Sequence, residues 1–297
     1  MSVNGRVAIV TGAGGGLGRA HAIFLARHGA RVVVGDLVHE AADRVAAEIA
    51  AAGHDAVAVA ASVTDEDAVA AMVAQTMARW GRVDILINNA GILRDKSFAK
   101  MSLDDFRLVV DVHLMGAVIC TKAVWEIMRE QRYGRIAMTT SSTGLYGNFG
   151  QANYGAAKMG LVGLMQTLAI EGEKYDIRVN CLAPTAATRM TDGILSEEHM
   201  SLLDPALVSP GLLALVGDDA PTRAILCAGA GHFARASVTL SQGLYVGAGE
   251  DAGERVIRNW AAISDRAGEI VPDYGLTQAE RELASAEMAA PAMAVQQ

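Results

Sequence analysis

Short, nearly continuous apolar runs alternate with longer stretches whose apolar positions recur at helical spacing. Residues 7–10, 31–35, 56–60, 83–87, 135–140 and 177–182 are the apolar runs, and each predicts a strand buried on both faces. A further strand is expected within residues 236–246. The intervening patterns predict helices over about 19–28, 38–52 and 152–174, together with two that begin near Thr64 and Ser102. Thr64 with Asp67, and Ser102 with Asp105, have the spacing of helix capping boxes. The helix after Ser102 is expected to run through the apolar stretch 109–128.

Strands that are apolar throughout and alternate with helices specify a parallel sheet covered on both faces. Right-handed crossovers then give a doubly wound α/β fold of Rossmann type, expected here with seven strands. No linker rich in Pro, Ser or Gly interrupts the pattern. A single domain is therefore expected over residues 1–249. Two more helical patterns, 253–262 and 277–288, predict a helical C-terminal extension, 250–297, packed on that domain.

Of the 297 residues, 52% are hydrophobic and 20% charged, enough to bury a sizeable core. The net charge of -8 offers no general attraction for nucleic acid or anionic lipid, so neither partner is expected. Cys120, Cys181 and Cys227 are odd in number and widely spaced, without a Cys-x-x-Cys pair, so no metal site or disulfide framework is expected. The polar start lacks a secretory pattern, and no apolar run of about 18 residues is evident. A cytoplasmic protein is the expectation.

The turn after the first strand reads Thr11-Gly12-Ala13-Gly14-Gly15-Gly16-Leu17-Gly18. Glycines at 12, 16 and 18 let backbone approach a pyrophosphate closely, and the following helix offers its N–H groups to the phosphates. Gly12, Gly16, Leu17 and Gly18 are thus candidate cofactor contacts; a purely structural turn is the alternative. Asp36 ends the second strand, where a carboxylate can accept from both adenosine ribose hydroxyls and repel a 2′-phosphate. It could also cap the next helix. Leu37, Val38 and His39 follow with no arginine, which favours NAD over NADP.

Tyr154 and Lys158 stand four apart in a predicted helix, on one face. An ammonium beside a phenol favours the phenolate, and such a tyrosine can exchange a proton with an alcohol or a ketone. A Tyr-x-x-x-Lys also occurs by chance. Ser141, thirteen positions earlier at the end of a strand, can hold a substrate oxygen beside that phenol. A polar turn built with Thr140, Ser142 and Thr143 is the plainer alternative.

Taken together, residues 11–18, Asn88-Asn89-Ala90-Gly91, Ser141, Tyr154 and Lys158 resemble the short-chain dehydrogenase/reductase family, over residues 5 to about 250. The resemblance implies an NAD-dependent oxidoreductase in which Tyr154 is the acid/base, Ser141 orients the substrate, and Lys158 also holds the nicotinamide ribose. It implies cofactor contacts from Asn88, Ala90, Gly91, Val63, Pro184 and Thr188. His113 replaces the family's usual asparagine in the run Asp111-Val112-His113-Leu114-Met115-Gly116, either in a proton relay or as a buried structural residue. Ser62 replaces a common aspartate, and the segment 184–188 lacks the usual glycine.

The strings 89–98 and 146–154 resemble the (3R)-hydroxyacyl-CoA dehydrogenase branch found in peroxisomal multifunctional enzymes. The substrate implied is a (3R)-hydroxyacyl-CoA, with Arg94, Lys96 and Arg189 as candidates for the CoA phosphates. A hydroxysteroid or other bulky secondary alcohol is the alternative, and a non-catalytic cofactor-binding protein a third. The helices around 109–128 and 152–174 resemble the pair that forms the family's two-fold interface, which implies a homodimer or homotetramer.

Overall fold

In the computed structural model, which describes residues 2–187 and 197–294, the strands divide their side chains between two cores. Ala8 and Val10 of β1 (Val7–Thr11) join one core and Ile9 the other. Val32 and Val34 of β2 (Arg31–Asp36) likewise oppose Val33. β3 (Ala56–Ala60), β4 (Ile85–Asn88), β5 (Gly134–Thr139), β6 (Ile177–Thr185) and β7 (Ile225–Gly229) complete seven parallel strands. β8 (His232–Ala236) pairs antiparallel with β7, in the order β3-β2-β1-β4-β5-β6-β7-β8.

Helices cover both faces, as the period-two strand pattern requires. α1 (Gly16–Arg27) and α2 (His39–Ala51) lie on one side; α3 (Glu66–Trp80) lies on the other. α1 buries Gly18, His21, Ala22, Leu25 and Ala26, a helical stripe. Burying a side chain such as Leu25 contributes about 2 kcal/mol. α4 (Leu103–Val110) and α5 (Gly116–Gln131) are joined by a π-helical segment, Asp111–Met115. α6 (Ser142–Tyr146) is a short extra turn before α7 (Ala152–Gly172). α8 (Glu197–Leu202) and α9 (Pro210–Val216) follow β6, and α9 packs with α1 in the first core.

Several local expectations change. The sheet has eight strands, and the seventh is residues 225–229 rather than part of 236–246. A two-residue turn, Ala230 and Gly231, both at positive φ, returns β7 antiparallel into β8. Residues 237–246 keep the alternating composition of a strand, but among them only Leu240 forms a bridge, to Ile270. Asp65, not Thr64, caps α3, accepting from Ala68 N at 3.0 Å. Ser102 caps α4 as expected, while Asp105 turns to Lys96 instead of closing a capping box. The helical run Leu103–Gln131 is, contrary to expectation, long and apolar enough to cross a membrane by length and composition. Here its α5 part buries Ala117, Cys120, Val124 and Met128 in the second core.

The chain divides into two compact units, Met1–Ala236 and Ser237–Gln297. The first ends with β8, earlier than the expected limit of 249. Within the second, α10 (Ala252–Arg258), α11 (Trp260–Ile263) and α12 (Leu276–Ala294) are the helices. Arg281 Nη1 donates to Ser241 O at 3.0 Å and Arg255 Nε to Val246 O at 2.8 Å, tying its loops to its helices.

His21 is fully buried on α1, its Nδ1 2.9 Å from Ser209 Oγ and its Nε2 without a partner. Burial lowers its pKa from 6.5 to about 3. The unfolded chain therefore binds the extra proton between those values, and stability falls as pH drops from about 6.5 towards 3. His21→Asn keeps a polar group near Ser209 and cannot titrate. Its melting temperature is expected to be lower than wild type at pH 8 but to fall less steeply between pH 6.5 and 4. An unchanged slope would remove His21 as a source of acid sensitivity.

Candidate active site

The central pair β1 and β4 is where the winding reverses, since β2 and β3 extend one way and β5 to β8 the other. Carboxyl ends of strands at such a switch point open a crevice. The glycine turn leaves β1 there, and residues 88–91 leave β4. Thr11 Oγ1 accepts from Asn89 N at 3.0 Å and Ala90 N at 3.1 Å. Asn89 Nδ2 donates to Thr11 O at 2.9 Å and Gly12 O at 3.2 Å. Neither Thr11 nor Asn89 was among the expected site residues, although both flank the glycines and polar residues that were.

The glycines are sterically required. A Cβ at Gly12 would lie 2.8 Å from Ala90 Cα, and one at Gly18 2.2 Å from Gly12 O. Gly12 and Gly16 also have positive φ. Leu17, the second residue of α1, packs partly buried against the first core. Asp36 comes to the same turn: its Oδ2 accepts from Gly14 N at 2.8 Å, and its Oδ1 from Val38 N at 3.0 Å. It does not cap α2, whose N-cap is Val38. The turn thus offers a Cβ-free cradle with a carboxylate at its side.

A small cavity beside the cradle is lined by Thr11, Val63, Asn88, Ala90, His113 and Lys158, among others. Asn88 spends its Nδ2 on Thr121 Oγ1 at 3.0 Å, while its buried Oδ1 has no partner. Gly91 lies against His113, where a Cβ would meet the ring at 2.2 Å. His113 Nε2 is 2.7 Å from Ile92 O and 3.0 Å from Ile92 N; its Nδ1 is buried and unpartnered. Burial first, and then the Lys158 charge, lower the His113 pKa to about 3. This side chain sits in the π-helical segment, a distortion that aims residues common at functional sites.

Ser141 ends β5 as the N-cap of α6, its Oγ accepting from Thr143 N at 3.2 Å. Its hydroxyl also faces the Tyr154 phenol and favours the phenolate. Tyr154 lies in the first turn of α7, its ring edge-on to His113 with centroids 5.1 Å apart. Lys158 is buried, with Nζ 5.5 Å from the Tyr154 ring centroid and 2.5 Å from Thr139 O. The expected lowering of the phenol by the lysine is reversed. Burial raises the Tyr154 pKa, with the Asp95 charge adding to the rise and the Ser141 hydrogen bond opposing it. Lys158 itself is lowered to about 7 by burial. Its Nζ is directed at the Thr139 carbonyl rather than the phenol, and desolvation dominates at Tyr154.

Pro184 sits within β6 opposite Ala228. Thr188 and Arg189 lie outside the described residues. Arg94 Nε and Lys96 Nζ approach Asp105, at 3.9 Å and 2.9 Å, so both cations face a carboxylate. Burial pushes the Cys120 and Cys181 thiols up to about 12, which fits inert core residues.

The short chain dehydrogenase family model matches residues 6–199. This chain belongs to the short-chain dehydrogenase/reductase family. It is 49% identical over 219 residues to peroxisomal multifunctional enzyme type 2 of Drosophila melanogaster, covering 71% of this chain and 36% of that relative. The full-length structure of that enzyme matches with a TM-score of 0.82 at 37% identity, over 97% of this chain and 51% of the other. The chain therefore spans only about a third of that relative's sequence. A short-chain type dehydrogenase/reductase of Mycobacterium tuberculosis is 43% identical over 284 residues, 92% of this chain and 99% of that one. A 7α-hydroxysteroid dehydrogenase complexed with NADH and 7-oxo glycochenodeoxycholic acid matches with a TM-score of 0.71 at 29% identity, over 77% of this chain and 95% of that one. The chain is an oxidoreductase that acts on CH–OH groups of a small-molecule substrate and uses a nicotinamide cofactor. The Cβ-free cradle and its carboxylate fit that cofactor.

Gly18→Ala places a methyl group against backbone that cannot swing away. Its melting temperature, measured without cofactor, should fall by about 5 °C. Gly15→Ala, which meets nothing within 4 Å, should change it by no more than ~2 °C. Equal melting temperatures for the two variants would show that the turn relaxes freely.

Proposed function

We propose that this chain is an NAD-dependent dehydrogenase that interconverts a (3R)-hydroxyacyl-CoA and the 3-oxoacyl-CoA. The observation that carries the chemistry is the Ser141 hydroxyl at the end of β5 beside the Tyr154 phenol, with Lys158 buried next to them. The likeness to peroxisomal multifunctional enzyme type 2 supports the substrate. Asp36 supports NAD, since a carboxylate already bound to the glycine turn would repel a 2′-phosphate.

The cofactor, when bound, supplies the hydride acceptor for alcohol oxidation and the hydride donor for the reverse reaction. Gly12, Gly16, Leu17 and Gly18 with the α1 N-terminus would take its pyrophosphate. Asp36 would take the adenosine ribose, and Val63, Asn88, Ala90, Gly91 and Pro184 would line its course. Thr188 is proposed to hold its carboxamide. Lys158 would hold the nicotinamide ribose, with its buried Nζ beside the Tyr154 ring. Ser141 donates to the substrate oxygen while Tyr154 Oη takes the hydroxyl proton, or returns it to the ketone. A phenol raised by burial stays protonated until a charged group or substrate enters, which suits it to proton donation in the reductive direction. His113, neutral at working pH, serves as a hydrogen-bonding wall between Ile92 and Tyr154 rather than as a store of protons.

A hydroxysteroid is the second reading, favoured by the likeness to the 7α-hydroxysteroid dehydrogenase and by Arg94 and Lys96 already facing Asp105. Helices α4 and α7 and the π-helical segment expose Leu103, Leu108, Met115, Met159 and Ile170, which supports burial of these residues in a homodimer or homotetramer.

Spectrophotometry at 340 nm with (3R)- and (3S)-hydroxydecanoyl-CoA and a hydroxysteroid, each with NAD and NADP, tests the reading. The R thioester with NAD should react fastest, and Tyr154→Phe should lower kcat at least ~100-fold while still binding NADH. Oxidation of the steroid with neither thioester would promote the second reading, and a preference for NADP would remove Asp36 from its role. In light scattering across a concentration series, a mass of at least twice 31.0 kDa is expected. A monomer at every concentration would refute the interface.

A further inference from the structure

The polar residues just outside the Ser141–Tyr154 pair form a second, connected layer. Gln151 is buried, at 8% exposure, immediately before α7. Its Nε2 donates to Asp95 Oδ2 at 2.7 Å. Its Oε1 accepts from Thr143 Oγ1 at 3.0 Å and from Asn148 Nδ2 at 3.1 Å. A carboxylate can only accept, so the amide has one orientation. One side chain thereby joins the segment after β4, helix α6 and the loop that leads into α7. Thr143 in turn donates its N–H to Ser141 Oγ at 3.2 Å, so the network reaches the pair itself.

Two further contacts lace the same segments. Lys96 N donates to Gly150 O at 2.9 Å, and Asn153 Nδ2 to Arg94 O at 3.2 Å. Asn153 is fully buried, and its Oδ1 accepts the Tyr154 N–H at 2.7 Å. Residues 94–96 are thus sewn to residues 150–154, and Ile92, just upstream, carries the backbone groups that hold His113.

We propose that Gln151 is a positioning residue: by holding Asp95 it clamps the segment after β4 onto the start of α7 and sets the Ser141–Tyr154 pair. This rests on the reading of that pair as the reacting groups. Hydrogen bonds to a charged acceptor are stronger than neutral ones, so Asp95 is the partner that gives the clamp its strength. Asp95 also brings a negative charge towards the phenol. The other titratable and charged groups facing Tyr154 are Lys158 from its own helix and His113 from the π-helical segment. Arg94 and Lys96 turn to Asp105 instead.

Exchange of the two partners' chemistry tests the clamp. Gln151→Glu sets a carboxylate against Asp95 and should open it. Asp95→Asn/Gln151→Glu restores a donor and an acceptor with polarity reversed, while Thr143 and Asn148 still donate. On the alcohol that wild type oxidises fastest, kcat of Gln151→Glu should fall about tenfold, and the double variant should recover most of that loss. Hydrogen exchange over residues 94–100 should quicken in the single variant and slow again in the double. Asp95→Asn alone keeps a hydrogen-bonding partner but deletes the charge, so its pH–rate profile for oxidation should move to lower pH with the plateau retained. If Gln151→Glu does not fold, Asp95→Ala serves in its place and should show both the lower kcat and the faster exchange. Full kcat in Gln151→Glu, or a double variant no better than the single, overturns the proposal. A wild type that oxidises no alcohol overturns the reading of the pair instead, and exchange over 94–100 then decides whether the clamp exists.

Discussion

Two strands from opposite halves of the sheet must lie side by side with their carboxyl ends tied together, and Thr11 and Asn89 make that tie. The Thr11 hydroxyl receives two N–H groups from the end of β4, and the Asn89 amide returns to the carbonyls of the β1 turn. Gly12 then rests on Ala90 with no room for a Cβ, and Gly18 on Gly12 O. The phosphate cradle, the wall of the small cavity and the seat of His113 against Gly91 all follow from this contact. Each of these parts sits on backbone, so its position is inherited from the sheet.

Desolvation is the second constraint. Lys158, His113 and Tyr154 are gathered where little water reaches, and each is pushed towards its neutral form: Lys158 to about 7, His113 to about 3, Tyr154 upward. Charge in such a place has to be compensated by fixed dipoles, and the Thr139 carbonyl and the Ile92 backbone provide them. The proton balance of the site is therefore set as much by the burial given by α5, α7 and the π-helical segment as by any pair of side chains.

Much of this was legible in the chain. Strand runs with apolar residues at every position mark a sheet covered on both faces, and six of the strands occur where those runs lie. The glycine spacing, Asp36 at the end of β2, and the Tyr154–Lys158 step on one helix are local features, and local geometry places them. The seventh strand was not legible, because residues 225–229 and 236–246 are both suited to extended backbone. The choice was made by the Ala230–Gly231 turn and by the free edge of β6. Helix caps shifted for a similar reason, since Thr64 and Asp65 are both capable and only the path of the backbone selects one.

Sequence by itself determined the family, the winding of the sheet and the identity of the chemical groups, because these depend on residue type and short-range period. Tertiary structure decided what those groups are near. Asp36 bonding to Gly14 rather than capping α2, Lys158 directed at Thr139 rather than lowering the phenol, and Gln151 holding Asp95 are contacts between residues 19 to 56 positions apart. No local pattern encodes them, because they arise only when the strands have been ordered and water has been driven from between their ends.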